Sequence, residues 1–283
     1  MAEKPRIAIV GAGNLGAALA VSLFRAGYAV ETIVARSQGA SLQKAQRLAK
    51  EVRARASVDL PKASRAKVVW FCVPDGKIEA AARNLAKRND WRGIVALHSS
   101  GALTSDELAA LREPGAAVAS VHPLMTFVRA SRPSLAGVPF VVEGDAVAVR
   151  AARGIVKNLR GQCFPISKKD KVAYHAWGTF ASPLLTALLA TTEQVAGLAG
   201  VSATAARQRM IPILMQTLAN YASFGAAGAF SGPIVRGDVK TVKKHLRALR
   251  GERKARDVYA ALAASAIRLL PTKNRRALEK LID

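Results

Sequence analysis

Only four histidines occur in 283 residues, and three fall where a parallel sheet would gather polar groups. His98 and His122 each follow an apolar run, Gly93-Ile94-Val95-Ala96-Leu97 and Ala116-Ala117-Val118-Ala119-Ser120-Val121. His175 lies near the start of a helical run and is placed to approach the same edge. A single histidine at a strand end is as often a satisfied structural group as a functional one. Two converging on one edge, with a third nearby, favour a site. Imidazole titrates near neutrality, so His122 and His175 are the candidates for proton transfer, with Ser100 as an orienting hydroxyl. Ser99 or Ser100 would reach a cofactor amide or a substrate oxygen. Lys171 and Tyr174 are candidates for proton donor or substrate anchor. His98 is grouped with them at the substrate, or else holds its own loop together. His245, in a charged helical run, reads as ordinary surface. The chemistry such a set supports is hydride transfer to a C=O or C=N carbon, where the developing charge needs a proton.

Those side chains need a scaffold, and the N-terminal residues predict one. Arg6-Ile7-Ala8-Ile9-Val10 is a strand, Gly11-Ala12-Gly13-Asn14-Leu15-Gly16 a glycine turn, and a helix follows to about Ala26. Gly11 permits the tight turn, Gly13 a close backbone approach to a diphosphate, and Gly16 close packing of helix on strand. The helix N-terminus adds free N–H groups and a positive dipole end. The next strand, Ala29–Val34, ends in Ala35-Arg36-Ser37, where an NAD-binding chain would carry Asp or Glu. A guanidinium and a hydroxyl suit a 2′-phosphate, so the expected cofactor is NADP. The run Lys67–Val73 is almost continuously apolar, as a two-sided parallel sheet demands, and Val73-Pro74 at its end should face the cofactor ribose.

Strands alternate with helices as far as Cys163-Phe164-Pro165-Ile166, and no strand pattern follows Ser167. The expected fold is α/β, a Rossmann-type doubly wound, mostly parallel sheet over residues 1–167, followed by an all-helical domain over 168–283. Helices are expected at 41–53, 76–87, 146–159, 171–199 and 203–223. Another should begin at Thr104, with Glu107 as its capping-box partner.

Apolar residues make up 51% and charged residues 22%, which excludes a disordered chain. Cys72 and Cys163 have no metal-ligand spacing, so no metal is expected and the cysteines read as core residues of a cytoplasmic protein. Met1–Pro5 has no apolar signal region, and the apolar stretch 176–192 reads as a buried helix rather than a membrane span. Forty-three basic against 19 acidic residues give a net charge of +24. Surface solvation is the first reading of that excess and steering of anionic ligands the second. Nucleic-acid binding comes last, because aromatic residues are only 5% and no binding motif appears.

Several motifs together resemble one family. They are the glycine turn, Ala35-Arg36-Ser37, Val73-Pro74-Asp75, His98-Ser99-Ser100-Gly101-Ala102-Leu103, Ser120-Val121-His122-Pro123-Leu124, Tyr174-His175-Ala176 and Ser231-Gly232-Pro233-Ile234-Val235-Arg236-Gly237-Asp238. The set resembles an NADP-binding branch of the 6-phosphogluconate-dehydrogenase-like superfamily, in which a Rossmann-like domain precedes a helical domain of unknown function. Pyrroline-5-carboxylate reductase and prephenate dehydrogenase are related. The resemblance covers nearly the whole chain and implies NADP binding and a homodimer formed through the helical domain. It names no substrate, and some relatives use a deazaflavin instead. Where the family runs Ala-Ser-Asn, this chain has Ala181-Ser182-Pro183, which lacks the carboxamide and predicts a helix kink. The leading expectation is an NADP-dependent oxidoreductase for a small anionic carbonyl or imine. The alternative is a non-catalytic NADP-binding sensor or scaffold.

Overall fold

The computed structural model describes residues 4–87, 90–129 and 131–282. Parts of the expected N-terminal tail (1–3) and of the polar loop 129–137 (residue 130) lie outside them. The chain divides into two compact units, Met1–Thr179 and Phe180–Asp283. The first part of the helix expected to open the second domain, residues 171–179, therefore groups with the first unit and the rest with the second.

The first unit is built on one eight-stranded sheet. Its strands are β1 (Ile7–Val10), β2 (Val30–Val34), β3 (Arg55–Ser57), β4 (Val68–Phe71), β5 (Val95–His98), β6 (Ala117–Pro123), β7 (Pro139–Gly144) and β8 (Gln162–Pro165). Their order is β3-β2-β1-β4-β5-β6-β7-β8. Pairing is parallel except between β6 and β7, where His122 stands opposite Val141. The first crossovers run outward one way from β1 and the next set the other way from β4. The crevice beyond the ends of β1 and β4 is therefore the switch point of a doubly wound sheet. Every residue of β1, β4 and β5 is buried, as the unbroken apolar runs demand of a sheet covered on both faces.

Helices α1 (Asn14–Arg25), α2 (Ala40–Glu51), α3 (Ile78–Ala86), α4 (Ala109–Arg112), α5 (Ala146–Asn158) and α6 (Lys171–Thr179) complete this unit. On one face, Leu19 and Leu23 of α1 and Ala152 and Ile155 of α5 share a cluster with Ile9, Trp70 and Phe140. On the other, Ile78, Leu85 and Trp91 pack with Ala8, Phe71 and Val118. The Thr104 cap differs from expectation. The chain first winds a 3-10 turn, Ser105–Leu108, and the Thr104 side chain accepts from the Asp106 N–H rather than boxing with Glu107.

The second unit is all-helical: α7 (Leu185–Gly197), α8 (Ala203–Ala229), α9 (Val239–Ala248), α10 (Arg253–Leu269) and α11 (Arg275–Ile282). Pro183 lies inside a π-helical turn, Phe180–Leu184, so the single helix expected over 171–199 is interrupted where proline removes a donor. Gly225, at φ 68°, breaks α8. Val242, Leu246, Ile267 and Leu278 form the small core of α9, α10 and α11. In contrast, α7 buries no residue and α8 only Ala206. Among the described residues no helix is long and apolar enough to cross a membrane.

Candidate active site

The glycine turn follows β1 directly, and each glycine meets a different constraint. Gly11, at φ 107°, lies so close to β4 that a Cβ there would stand 2.6 Å from the Cys72 carbonyl oxygen. A Cβ on Gly16 would collide with the Gly11 carbonyl oxygen. Both glycines are required by the protein itself. Gly13 is not: a Cβ there would find nothing nearer than 3.8 Å. Room for a methyl group remains at the N-cap of α1, where the helix points its first N–H groups and positive end outward. The site residues Ala12 and Leu15 are half-buried around it, Leu15 packed onto the core. The Asn14 amide is engaged elsewhere, donating to the Phe127 carbonyl at 3.2 Å, so only its backbone faces the cradle. Arg36 and Ser37 are exposed just beyond β2, the strand beside β1. The Arg36 N–H is fixed by Ser41 Oγ at 3.1 Å, and its guanidinium is free of ion pairs among the described residues. Val73 borders Gly11, and exposed Pro74 follows it. An open N-terminal cradle with a guanidinium at the next strand end fits a phosphorylated dinucleotide.

The polar groups gather at the ends of β5 and β6. His98 is the last residue of β5, and His122 lies within β6 rather than beyond it. His98 is fully buried, and both its ring nitrogens are used. Nδ1 accepts from the Ser100 N–H at 3.1 Å, which makes Nε2 the protonated nitrogen that donates to the Thr104 carbonyl at 2.9 Å. Burial, assisted by the Lys171 charge, pushes its pKa down to about 4. His98 is thus a staple for loop 98–104, not a substrate ligand. Ser100 is likewise engaged: its hydroxyl donates to Asp75 at 2.8 Å and accepts from the Leu103 N–H at 2.9 Å. The expected contact of Ser100 with substrate gives way to a role in holding the loop. Ser99 Oγ accepts from the Trp70 indole at 2.8 Å.

Lys171 has no exposed surface. Its ammonium donates to Ser120 Oγ at 2.7 Å and to the Ser100 carbonyl at 3.1 Å. Ser120 Oγ in turn donates to that carbonyl at 3.2 Å. Burial lowers the Lys171 pKa to about 8, while the charges of Glu143 and Asp75 oppose the shift. Glu143 is itself buried and accepts from the Ser105 N–H and hydroxyl at 2.6 and 2.8 Å. The ammonium therefore lies beneath the loop, out of reach of a substrate.

The open surface of the cluster belongs to exposed His175 and half-buried His122, and Tyr174, paired with His122, is buried. The Tyr174 hydroxyl is 2.8 Å from His122 Nδ1, with the rings edge-on. His175, one residue on and exposed, lies edge-on to His122 with centroids 6.1 Å apart. Gly101 forms the floor. A Cβ there would stand 2.6 Å from His175 Cδ2 and 2.9 Å from His122 Nε2, so only glycine lets both rings close over the loop. Burial, then the charges of Lys171 and the two other histidines, pushes the His122 pKa down to about 3. Burial raises Tyr174 to about 12. His122 is therefore neutral at pH 7 and cannot act as an imidazolium donor.

Asp75, Gly101, Ser120 and Glu143 were not singled out as site residues from the sequence. Ser120 had a readable signal, since it shares a strand face with His122 at the two-residue period. Lys171, Tyr174 and His175 share a helix face at i, i+3 and i+4. Glu143 had none, because only the antiparallel pairing of β6 with β7, which sets it opposite Ser120, brings it there.

Comparison with known proteins places both halves. Residues 2–123 match the Rossmann-like domain family, and residues 138–266 match a domain of unknown function, DUF2520. Similar solved structures include a Bacteroides fragilis protein provisionally named an NADP oxidoreductase (19% identity, 93% of this chain and 97% of that one, TM-score 0.77). An imine reductase from Pseudomonas sp. shares 20% identity over 99% and 100% of the two chains, with a TM-score of 0.67. A reductive aminase from Aspergillus terreus, solved with NADPH and ethyl-5-oxohexanoate, shares 15% identity over 99% and 100%, also at 0.67. These likenesses establish a common fold. No curated protein sequence matches the chain.

Proposed function

Because the chain joins a Rossmann-like domain to a DUF2520 domain, the pairing its motifs resemble, we propose that it is an NADP-dependent oxidoreductase acting on a carbonyl or imine group. The observation that carries this reading is the cradle at Gly13, open where the protein itself has no need of glycine and followed at the next strand end by Arg36 and Ser37. NADPH bound there would supply the hydride. Three structural relatives, an NADP oxidoreductase by provisional name, an imine reductase and a reductive aminase solved with NADPH, support the same class.

The first unit's side chains divide the remaining work. Helix α1 and Arg36 hold the phosphates by dipole and charge-assisted hydrogen bonds. Val73 and Pro74 border the ribose side. Tyr174 donates its hydroxyl hydrogen to His122 Nδ1, which leaves Nε2–H pointing over Gly101 as a neutral hydrogen-bond donor. A substrate oxygen or nitrogen lying there receives that hydrogen bond as charge develops, and proton delivery passes from Tyr174 through His122, with His175 at the solvent side. Lys171 acts from below by holding loop 98–101 and keeping His122 neutral. The substrate is small, and the net charge of +24 favours an anionic one by steering.

Calorimetric titration with NADPH and NADH tests the cofactor. NADPH should bind at least about tenfold tighter, and Arg36→Ala should remove the preference. Equal affinity, or a preference for NADH, defeats the reading. NADPH oxidation across cyclic imines and keto acids tests catalysis. Tight NADPH binding with no turnover of any carbonyl or imine would instead favour a sensor or scaffold.

A further inference from the structure

We infer that the helical unit carries an anion site of its own, between α9, α10 and α11, for a compact small molecule bearing clustered phosphate groups. A cavity of about 280 Å3 lies there, lined by Lys243, Leu246, Arg247, Arg250, Arg256 and Leu281. Leu246 and Leu281 belong to the packed core of these helices, so the floor is fixed and apolar. The four cations rise around it.

Their arrangement runs against what helix stability alone would select. Lys243, Arg247 and Arg250 recur at i, i+4 and i+7 along α9 and its C-terminal turn, a spacing at which like charges repel. Arg256 follows Arg253 and Lys254 in the opening turn of α10, which holds no acidic residue although a helix N-terminus favours one. Among the described residues none of the four side chains is ion-paired or hydrogen-bonded to a carboxylate. Elsewhere the chain does pair its cations, as Arg112 does with Asp106 and Asp145, and Arg207 with Glu193. Of the acidic groups close in sequence, Asp238 caps α9 through Thr241, Glu252 accepts from Gln194, and exposed Asp257, next to Arg256, forms no ion pair with the four cations among the described residues. Unpaired guanidinium groups that converge on a preformed cavity, with a helix N-terminus contributing the same sign, suit an oxyanion accepting several donors at once. The cavity holds a few phosphate groups, and an apolar floor accepts the body that carries them. A nucleic-acid duplex would call for an extended basic face instead. The site lies wholly in the second unit and does not depend on the nucleotide cradle.

Titration of the full-length chain with sodium tripolyphosphate at about 0.15 M salt tests the site. One equivalent should bind, and Arg247→Ala/Arg250→Ala should weaken it at least about tenfold. Arg150→Ala/Lys157→Ala removes the same charge from exposed positions on α5 and should leave the affinity within about twofold. All four substitutions are at exposed residues, and an unchanged melting temperature confirms folding. Equal weakening by both double variants would show a response to net charge alone and overturn the proposal. Binding unaffected by Arg247→Ala/Arg250→Ala would assign tripolyphosphate to another site, such as the nucleotide cradle, and overturn it equally. No binding at all overturns it, as does a duplex DNA that binds the same arginines more tightly than tripolyphosphate.

Discussion

Tyr174 and His122 face each other across 2.8 Å, and which of them donates decides what the site offers. With the tyrosine donating, His122 shows Nε2–H outward. Without the hydroxyl, its tautomer is free to invert and the donor is lost. Tyr174→Phe should therefore lower kcat by about 10- to 100-fold while leaving the NADPH dissociation constant unchanged. Parallel loss of both in stopped-flow and calorimetric measurements would show a structural role instead. The buried histidines also set a pH dependence of folding. His98 and His122 are held near 4 and 3 in the folded state, below the ordinary value of about 6.5. Between those limits the unfolded chain binds more protons, so stability rises with pH and is lost as pH falls below about 6.5. Urea unfolding at pH 7 and pH 5 should differ by a few kcal/mol, roughly, with the lower pH less stable. His98→Asn/His122→Asn should flatten the difference.

At the scale of elements, the turn from β1 into α1 separates glycines needed for folding from a glycine left for a ligand. A methyl on Gly16 meets the Gly11 carbonyl, which helix and strand cannot avoid without moving apart. Gly16→Ala should cost about 1–3 kcal/mol of stability and abolish nucleotide binding with it. Gly13→Ala places its methyl 3.8 Å from the Cys72 carbonyl oxygen, an ordinary van der Waals contact. Its stability should stay within about 0.5 kcal/mol of the parent while NADPH binding weakens at least about tenfold. Thermal unfolding and calorimetry on the two variants distinguish the cases; a Gly13→Ala chain that binds normally would remove the cradle from the proposed site. The loop of β5 shows the same economy. His98, Ser100 and Lys171 are polar residues at a sheet edge, yet each is spent on holding 98–104 in place so that Gly101 lies beneath the half-buried His122 ring and the exposed His175 ring.

At the scale of the molecule, the helical unit leaves much apolar surface uncovered. Ile213, Met215, Tyr221 and Phe224 of α8 are 60–68% exposed, and α7 adds no buried residue at all. A helix pair so apolar and so open calls for a covering surface. We propose a second copy of the chain as that cover, the arrangement the family resemblance implies. Light scattering should give twice the chain mass, and Ile213→Lys/Phe224→Lys should halve it. A wild-type monomer at micromolar concentration would count against it.

The sequence by itself determined the order of strands and helices, because apolar runs of four or five residues between glycine turns admit only a sheet buried on both faces. It also determined the glycine turn, since the strand, Gly11, Gly13, Gly16 and the helix follow one another in a single stretch of chain. Pro183 announced the interruption of its helix for the same local reason. The division of labour among the polar residues was decided only by the tertiary structure. His98, His122 and His175 are alike as residue types; burial, the buried Lys171 charge and a tyrosine 52 positions away make one a staple, one a neutral ring paired with that tyrosine and one a solvent-facing ring. Protonation states follow from surroundings that distant segments assemble, and no local pattern in the chain carries that information.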